Sequence, residues 1–243
     1  MDSATKFGGP PPSLFNQLPP SHLSKLMNAG RLMRLTRGSV LFCKGAPANS
    51  CYWIRSGTLK VSITSQIGEE RILALLGAGA VVGELAILDN LPRSATVTAI
   101  SDASLTELKK SALVSYLRQH PEIYADLVTI LVRRLRGTND EVAADSFLAP
   151  PARIARAVLS LVDRIGEKTG PGLYTMSQVV SQRDIGAMAG VARETVSRTL
   201  SEWQRLGVVR REPGRRNLTV RKSELECEST RCPGGSASPT KPN

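Results

Sequence analysis

The chain has 243 residues, of which 41% are hydrophobic and 22% charged, with 32 Lys/Arg against 21 Asp/Glu and a net charge of +11. That length accommodates two separate cores. No run approaches the ~20 apolar residues that span a bilayer, and Met1-Asp2-Ser3-Ala4-Thr5-Lys6 carries no apolar signal core, so action in the cytoplasm, away from membranes, is expected. The positive excess lies mainly in residues 150–225, which hold 14 Lys/Arg against 7 Asp/Glu. Such a balance favours approach to a phosphate backbone, although a merely basic surface has the same composition.

In chain order, residues 1–20 are rich in Gly and Pro and read as a loose arm. Residues 21–36, with His22-Leu23-Ser24-Lys25-Leu26-Met27, read as a short amphipathic helix. From Val40 to about Leu108 the pattern becomes short, partly alternating runs: Cys51–Ile54, Thr58–Ile63, Arg71–Leu75 and Ala95–Ile100. Glycines 38, 45, 57, 68, 77, 79 and 83 punctuate them. Many short strands with glycine turns predict a β-sandwich or barrel.

Ser111 to His120 reads as one helix, and Pro121 opens a longer one to about Leu148. Leu131, Leu135, Thr138, Val142 and Asp145 follow a heptad spacing, which predicts a homodimer through residues 121–149; a helix buried within one chain shares the pattern. Asp145 ends the apolar seam. Pro150-Pro151 breaks the chain direction and marks a hinge. A further helix is expected over Ala152–Val162.

Ser181 and Asp184 form a capping box for a helix beginning near Gln182. Gly190 supplies a tight turn, and a second helix carries Arg193-Glu194-Thr195-Val196-Ser197-Arg198. Ile185, Met188, Ala189, Val191, Val196 and Leu200 would pack between the two helices, with Gly186 at their crossing. Arg193, Glu194 and Arg198 then face outward. Arg forks onto the two acceptors of guanine, and a carboxylate accepts from the cytosine amino group. A charged surface helix has similar residues. Gly207 to Val220 reads as a basic β-hairpin, or wing. Residues 226–243, rich in Ser, Pro and Gly, are expected to be disordered.

The segment Val82-Gly83-Glu84-Leu85-Ala86-Ile87-Leu88-Asp89-Asn90-Leu91-Pro92-Arg93-Ser94 suits a ligand pocket. Gly83 at a strand end admits a ligand to the backbone. Arg93 presents a planar fork for phosphate, Ser94 adds a hydroxyl donor, and Glu84 accepts from a ribose hydroxyl. A surface turn with an internal Glu–Arg pair is the alternative.

This segment resembles the phosphate-binding cassette of cyclic-nucleotide-binding domains. Followed by a long helix and a winged helix-turn-helix, it resembles the cyclic-AMP receptor protein/FNR family of bacterial transcription regulators over roughly residues 20–225. The resemblance implies an α+β fold with three parts: a β-jelly-roll cyclic-nucleotide-binding domain (21–120), a dimerisation helix (121–149) and a winged helix-turn-helix domain (150–225). It implies that Glu84 holds the ribose 2′-hydroxyl. Arg93 and Ser94 would hold the cyclic phosphate, with the amides of Gly83 and Leu85. Val61 and Leu73 would line the base or sugar. Thr138 would bond the adenine amino group, and Asn139 would reach the partner subunit's nucleotide. Asn139 offers donor and acceptor, so cyclic GMP is expected beside cyclic AMP.

On double-stranded DNA, the resemblance implies that Arg193, Glu194, Thr195 and Arg198 read TGTGA-like half-sites. Ser181 and Gln182 would touch phosphates at a helix start, and Arg215 and Arg216 would add wing contacts. RNA polymerase is an expected partner.

Other readings keep the same fold with another signal, or none. An iron–sulfur sensor would need an N-terminal cysteine cluster that this chain lacks, and haem is disfavoured because its two histidines, His22 and His120, fall outside the expected strands. The four cysteines match no zinc spacing, so no metal is expected. The same shortage of histidine disfavours a cupin-type enzyme, and no catalytic residues are assigned. A regulatory subunit that never touches DNA would leave the basic helix and wing unexplained.

Overall fold

The computed structural model describes Lys25 and residues 30–125, 128, 129, 131, 132, 135, 136, 147–176, 180–211 and 217–230. The chain is α+β and falls into two compact units, one over residues 9–139 and one that includes residues 140–243. The expected arm (1–20) and the residues from 231 onward lie outside the described residues, as do Thr138, Asn139, Val142 and Asp145.

The first unit is a β-sandwich. One antiparallel sheet has the order β1 (Arg31–Leu35), β8 (Ala103–Lys109), β3 (Ser50–Ser56), β6 (Val81–Val82). The other has the order β2 (Val40–Phe42), β7 (Thr96–Ala99), β4 (Leu59–Thr64), β5 (Glu70–Leu76). The period of two that marks a strand is plain in β7, where Val97 and Ala99 are buried and Thr96 and Thr98 are not. These inward residues meet Ile54, Ala103 and Leu105 of the opposite sheet, with Leu59 and Leu76, in one core. A second core covers the far side of the first sheet. There Cys51, Val81 and Leu108 pack against Ile87 of α1 (Leu85–Leu88) and against Leu113 and Leu117 of α2 (Lys110–Gln119).

The sequence reading of residues 21–36 as one helix needs correction. Lys25 is helical, but Arg31–Leu35 form β1, paired residue by residue with β8 from Arg31↔Glu107 to Leu35↔Ala103. Leu32, Met33 and Leu35 fit either period over so short a run. Pairing with β8, which places Met33 and Leu35 against the sandwich core, decides between them.

The second unit is built on α3 (Pro150–Ile165). Pro150 and Pro151 occupy its first turn, where a missing N–H costs nothing. Its inner face, including Ala152, Ile154, Ala155, Val158, Leu161 and Val162, is almost wholly buried. Helices α4 (Gln182–Ala189) and α5 (Arg193–Arg205) follow, packed on α3 and on each other. The expected wing exists as β11 (Val209–Arg211) paired with β12 (Leu218–Arg221). It belongs to a larger sheet of order β11-β12-β10-β9, in which β9 (Glu167–Gly170) and β10 (Leu173–Met176) form a hairpin not anticipated from sequence. The Pro171-Gly172 turn was its available signal.

The expected disordered tail also begins too early. Lys222–Glu228 form α6, held by the fully buried Leu225 and by Lys222 Nζ donating to Asp163 Oδ1 at 2.7 Å. That contact raises the Lys222 pKa by favouring its charged form. Among the described residues no helix is long and apolar enough to cross a membrane, and no metal-binding cluster is present.

Candidate functional site

The first unit contains a pocket of about 540 Å³, counting the space at its open mouth. Its walls include Val61, Gly83, Glu84, Leu85, Arg93 and Ser94, so six of the residues singled out in sequence come together here. Gly83 has φ +83°, a conformation that lets β6 turn directly into α1. A Cβ at this position would collide with Arg93 Nη1. The glycine therefore makes the turn and leaves room for the arginine. Leu85 opens α1, where first-turn N–H groups have no partner within the helix.

Arg93 is 4% exposed and Glu84 3%, which is unusual for charged side chains. The arginine backbone is gripped on both sides by the β2–β3 turn: its N–H donates to the Ala46 carbonyl at 2.9 Å, and its carbonyl accepts from Gly45 N at 2.8 Å. The guanidinium donates from Nη1 to the Gly83 carbonyl at 2.7 Å and from Nη2 to the Ser50 carbonyl at 2.6 Å. Its carbon lies 4.1 Å from the centre of the Phe42 ring and 5.9 Å from that of Tyr52. Burial lowers its pKa below the ordinary value, opposed by Tyr52, Cys51 and Glu84. An arginine remains protonated under such a shift. Nearby Cys51 has its thiol pushed up to about 12, first by burial and then by Glu84. It is an inert packing residue rather than a nucleophile.

Leu73 is not part of the wall. The β4–β5 register shifts between Val61 and Ser62, so Val61 pairs with Ala74 and Ser62 with Ile72. This bulge leaves Leu73 without an opposite residue and 47% exposed, and Ala74 and Leu76 take the lining positions. Phe42, Tyr52 and the Ser50 carbonyl were missed in sequence, because only the sandwich brings β2 and β3 to Arg93.

The second unit presents the other candidate surface. Ser181 caps α4: its hydroxyl accepts from Asp184 N at 3.2 Å and donates to Asp184 Oδ2 at 2.6 Å, while its N–H donates to the same oxygen at 2.9 Å. Both Ser181 donors are thus engaged within the box. A phosphate here would meet the half-buried Gln182 and the free amides of the first turn instead. Gly190 stands in the left-handed region at φ +62°, and Val191 N returns to the Gly186 carbonyl at 3.0 Å. A side chain on Gly186 would sit 2.7 Å from the Val191 carbonyl oxygen, so the crossing needs glycine.

In α5, Val196, Thr199, Leu200 and Trp203 are buried, which fixes the helix rotation. Arg193, Glu194 and Arg198 are exposed and Thr195 is half-buried. Glu194 and Arg198, four residues apart, share a face. Arg210 on β11 is exposed as well; Arg215 and Arg216 lie outside the described residues.

A pocket with a buried arginine and carboxylate in one unit, and a capped helix pair with a basic outer face in the other, define a ligand-binding DNA regulator. The comparisons agree. Residues 32–120 match the cyclic nucleotide-binding domain, and residues 152–225 match the Crp-like helix-turn-helix domain. The "CRP-like cAMP-activated global transcriptional regulator" of Mycobacterium tuberculosis is 32% identical over 199 residues, 82% of this chain and 88% of that protein. The "Cyclic AMP receptor protein" of Thermus thermophilus is 32% identical over 212 residues, 87% of this chain and 94% of that protein. Among solved structures, FixK2 from Bradyrhizobium japonicum superposes with a TM-score of 0.70 at 23% identity, covering 84% of this chain and 98% of its own, which supports the fold.

The chain belongs to the cyclic-AMP receptor protein/FNR family. It is a cyclic-nucleotide-binding, DNA-binding transcription regulator and not an enzyme.

Proposed function

We propose that the protein is a homodimeric regulator, acting in the cytoplasm, that binds cyclic AMP, also accepts cyclic GMP, and then engages palindromic TGTGA-like DNA. The observation that carries this reading is the buried Arg93 in the wall of a concave pocket, next to Glu84. The Gly83 and Ser50 carbonyls take one N–H from each terminal nitrogen, and the second N–H on each suits an anionic phosphate, which adds an opposite charge. Glu84 accepts from the ribose 2′-hydroxyl. Ser94 and the amides of Gly83 and Leu85 complete the phosphate cradle, and Val61 packs on the sugar or base. Thr138 and Asn139 contact the base. The relatives named as cAMP-activated support the choice of nucleotide.

The dimer reading rests on the helical residues after Pro121. Tyr124, Val128, Leu131 and Leu135 continue the heptad spacing toward the N-terminus and are 47%, 58%, 39% and 63% exposed in the single chain. A row of large apolar side chains at that spacing calls for a second helix. Nucleotide contact at Thr138 and Asn139 would favour one helix alignment, bringing the two α5 helices to adjacent major grooves about 34 Å apart. Arg193, Glu194, Thr195 and Arg198 then read base edges, with Gln182 and Arg215 near phosphates and Ser181 holding the helix start that presents Gln182. RNA polymerase is the further partner.

The test is fluorescence anisotropy on a palindrome of two TGTGA-type half-sites at fixed salt, without ligand, with cyclic AMP and with cyclic GMP. Strong stimulation by cyclic AMP is expected, the cyclic GMP arm reads the preference between the two, and Arg93→Ala should abolish any stimulation. Equal tight binding in all three conditions would reject the nucleotide switch and leave a regulator with another signal.

A further inference from the structure

Arg93 is held by more than its own loop. Its Nη1 and Nη2 each donate to a backbone carbonyl, Gly83 on one side and Ser50 on the other. Its Nε is buried without a hydrogen-bond partner. One N–H on each terminal nitrogen is therefore left to meet a ligand. Two carbonyls fix the position of the guanidinium, but rotation about the line between them would still swing those two N–H groups.

The aromatic pair supplies the missing constraint. Phe42, at the end of β2, covers the guanidinium at 4.1 Å. The ring is itself braced by Tyr52 of β3, with centroids 6.1 Å apart and planes 29° apart. Phe42 also lines the pocket, beside the space that a Cβ on Gly83 would enter. The electron-rich ring face attracts the cation, most strongly where water is excluded, as it is around this 4%-exposed arginine.

We propose that Phe42 is a positioning residue for phosphate recognition. Its ring sets the plane of the Arg93 guanidinium, so the two remaining N–H groups address a defined pair of phosphate oxygens. This inference rests on the cyclic-nucleotide reading of the pocket. It makes the specificity for one phosphate face a property of β2, outside the segment that carries Arg93 and Glu84.

The full chain would be titrated calorimetrically with cyclic AMP and with its Rp and Sp phosphorothioates, in which sulfur replaces one or the other exocyclic oxygen. The wild type should prefer one diastereomer. Phe42→Leu should bind cyclic AMP roughly tenfold more weakly and bring the Rp and Sp affinities together, while Phe42→Tyr should retain both properties. Mono-, di- and trifluorophenylalanine at position 42 keep the ring's shape and drain charge from its face. Affinity should fall stepwise along that series, which also carries the test if Phe42→Leu fails to fold. Unchanged affinity across the fluorine series would overturn the proposal. So would a Phe42→Leu protein that loses the same factor for all three ligands, or a wild type indifferent to the diastereomers. A wild type that binds none of the three overturns the pocket reading itself, and that outcome is seen before any variant is made.

Discussion

Gly83 and Arg93 are partners: the glycine carbonyl accepts from Nη1 at 2.7 Å, and the missing glycine side chain is what allows Nη1 to sit there. Gly83→Ala tests both halves of this relationship. The alanine must adopt φ near +83°, at a stability cost of about 1–2 kcal/mol, and its Cβ must push the guanidinium aside. Cyclic AMP affinity should fall by roughly 10- to 100-fold, as for loss of a charged hydrogen-bonding group. Denaturant unfolding and ligand titration on the same sample separate the two effects. Wild-type affinity in a destabilised variant would mean that the ligand does not meet Arg93.

Cys51 sets an alkaline limit on the first unit. Its folded-state pKa, about 12, lies above the ordinary value of 9.0. The folded chain therefore holds the thiol proton more tightly than the unfolded chain. The associated stability is fully present below pH 9.0 and is lost as pH rises through about 12. Wild-type unfolding free energy should decline over that window more steeply than that of Cys51→Ala. A thiol reagent should label the exposed Cys43 and Cys227 in the native protein and reach Cys51 only on unfolding. Rapid native labelling of Cys51 would contradict its burial.

Glu194 lies on the exposed face of α5, clear of the core formed by Val196, Leu200 and Trp203. Replacement by Ala should leave stability within ~0.5 kcal/mol of wild type and relax preference at one base pair by about 1–3 kcal/mol. Anisotropy on a panel of half-sites differing at single positions would check this. Equal loss on every sequence would assign Glu194 a general role in holding the helix.

Leu135 is 63% exposed in the single chain. Leu135→Glu should thus cost the isolated subunit little, yet place two carboxylates against each other in a paired seam. Sedimentation should show monomers for the variant and dimers for the wild type, with loss of binding to the palindrome. A dimeric variant would move the interface elsewhere.

Much of this arrangement is legible in the residues themselves. The capping box at Ser181, the left-handed turn at Gly190 and the small crossing residue Gly186 depend on contacts within a few positions, and local chemistry dictates them. The cassette from Gly83 to Ser94 reads well for the same reason. What escapes is what the sheets assemble. Arg31–Leu35 carries a pattern that suits helix or strand until β8 pairs with it. A one-residue bulge, invisible in Val61 or Leu73 separately, turns Leu73 outward and Ala74 into the wall. Phe42 has no local feature that ties it to Arg93. Leu225 is a single apolar residue in a polar stretch, and only α3 gives it somewhere to go.

Helix α6 has a consequence for synthesis. It packs on α3, buries Leu225 completely and joins Lys222 to Asp163, so part of the apolar face of α3 has no cover until residues 222–228 have left the ribosome. The two cores described for the sandwich draw on residues between Met33 and Ile123. During translation the sandwich can fold first, while the second unit waits for α6. A chain cut short inside the wing would keep the sandwich cores but leave α3 without Leu225 and without the Lys222 partner of Asp163.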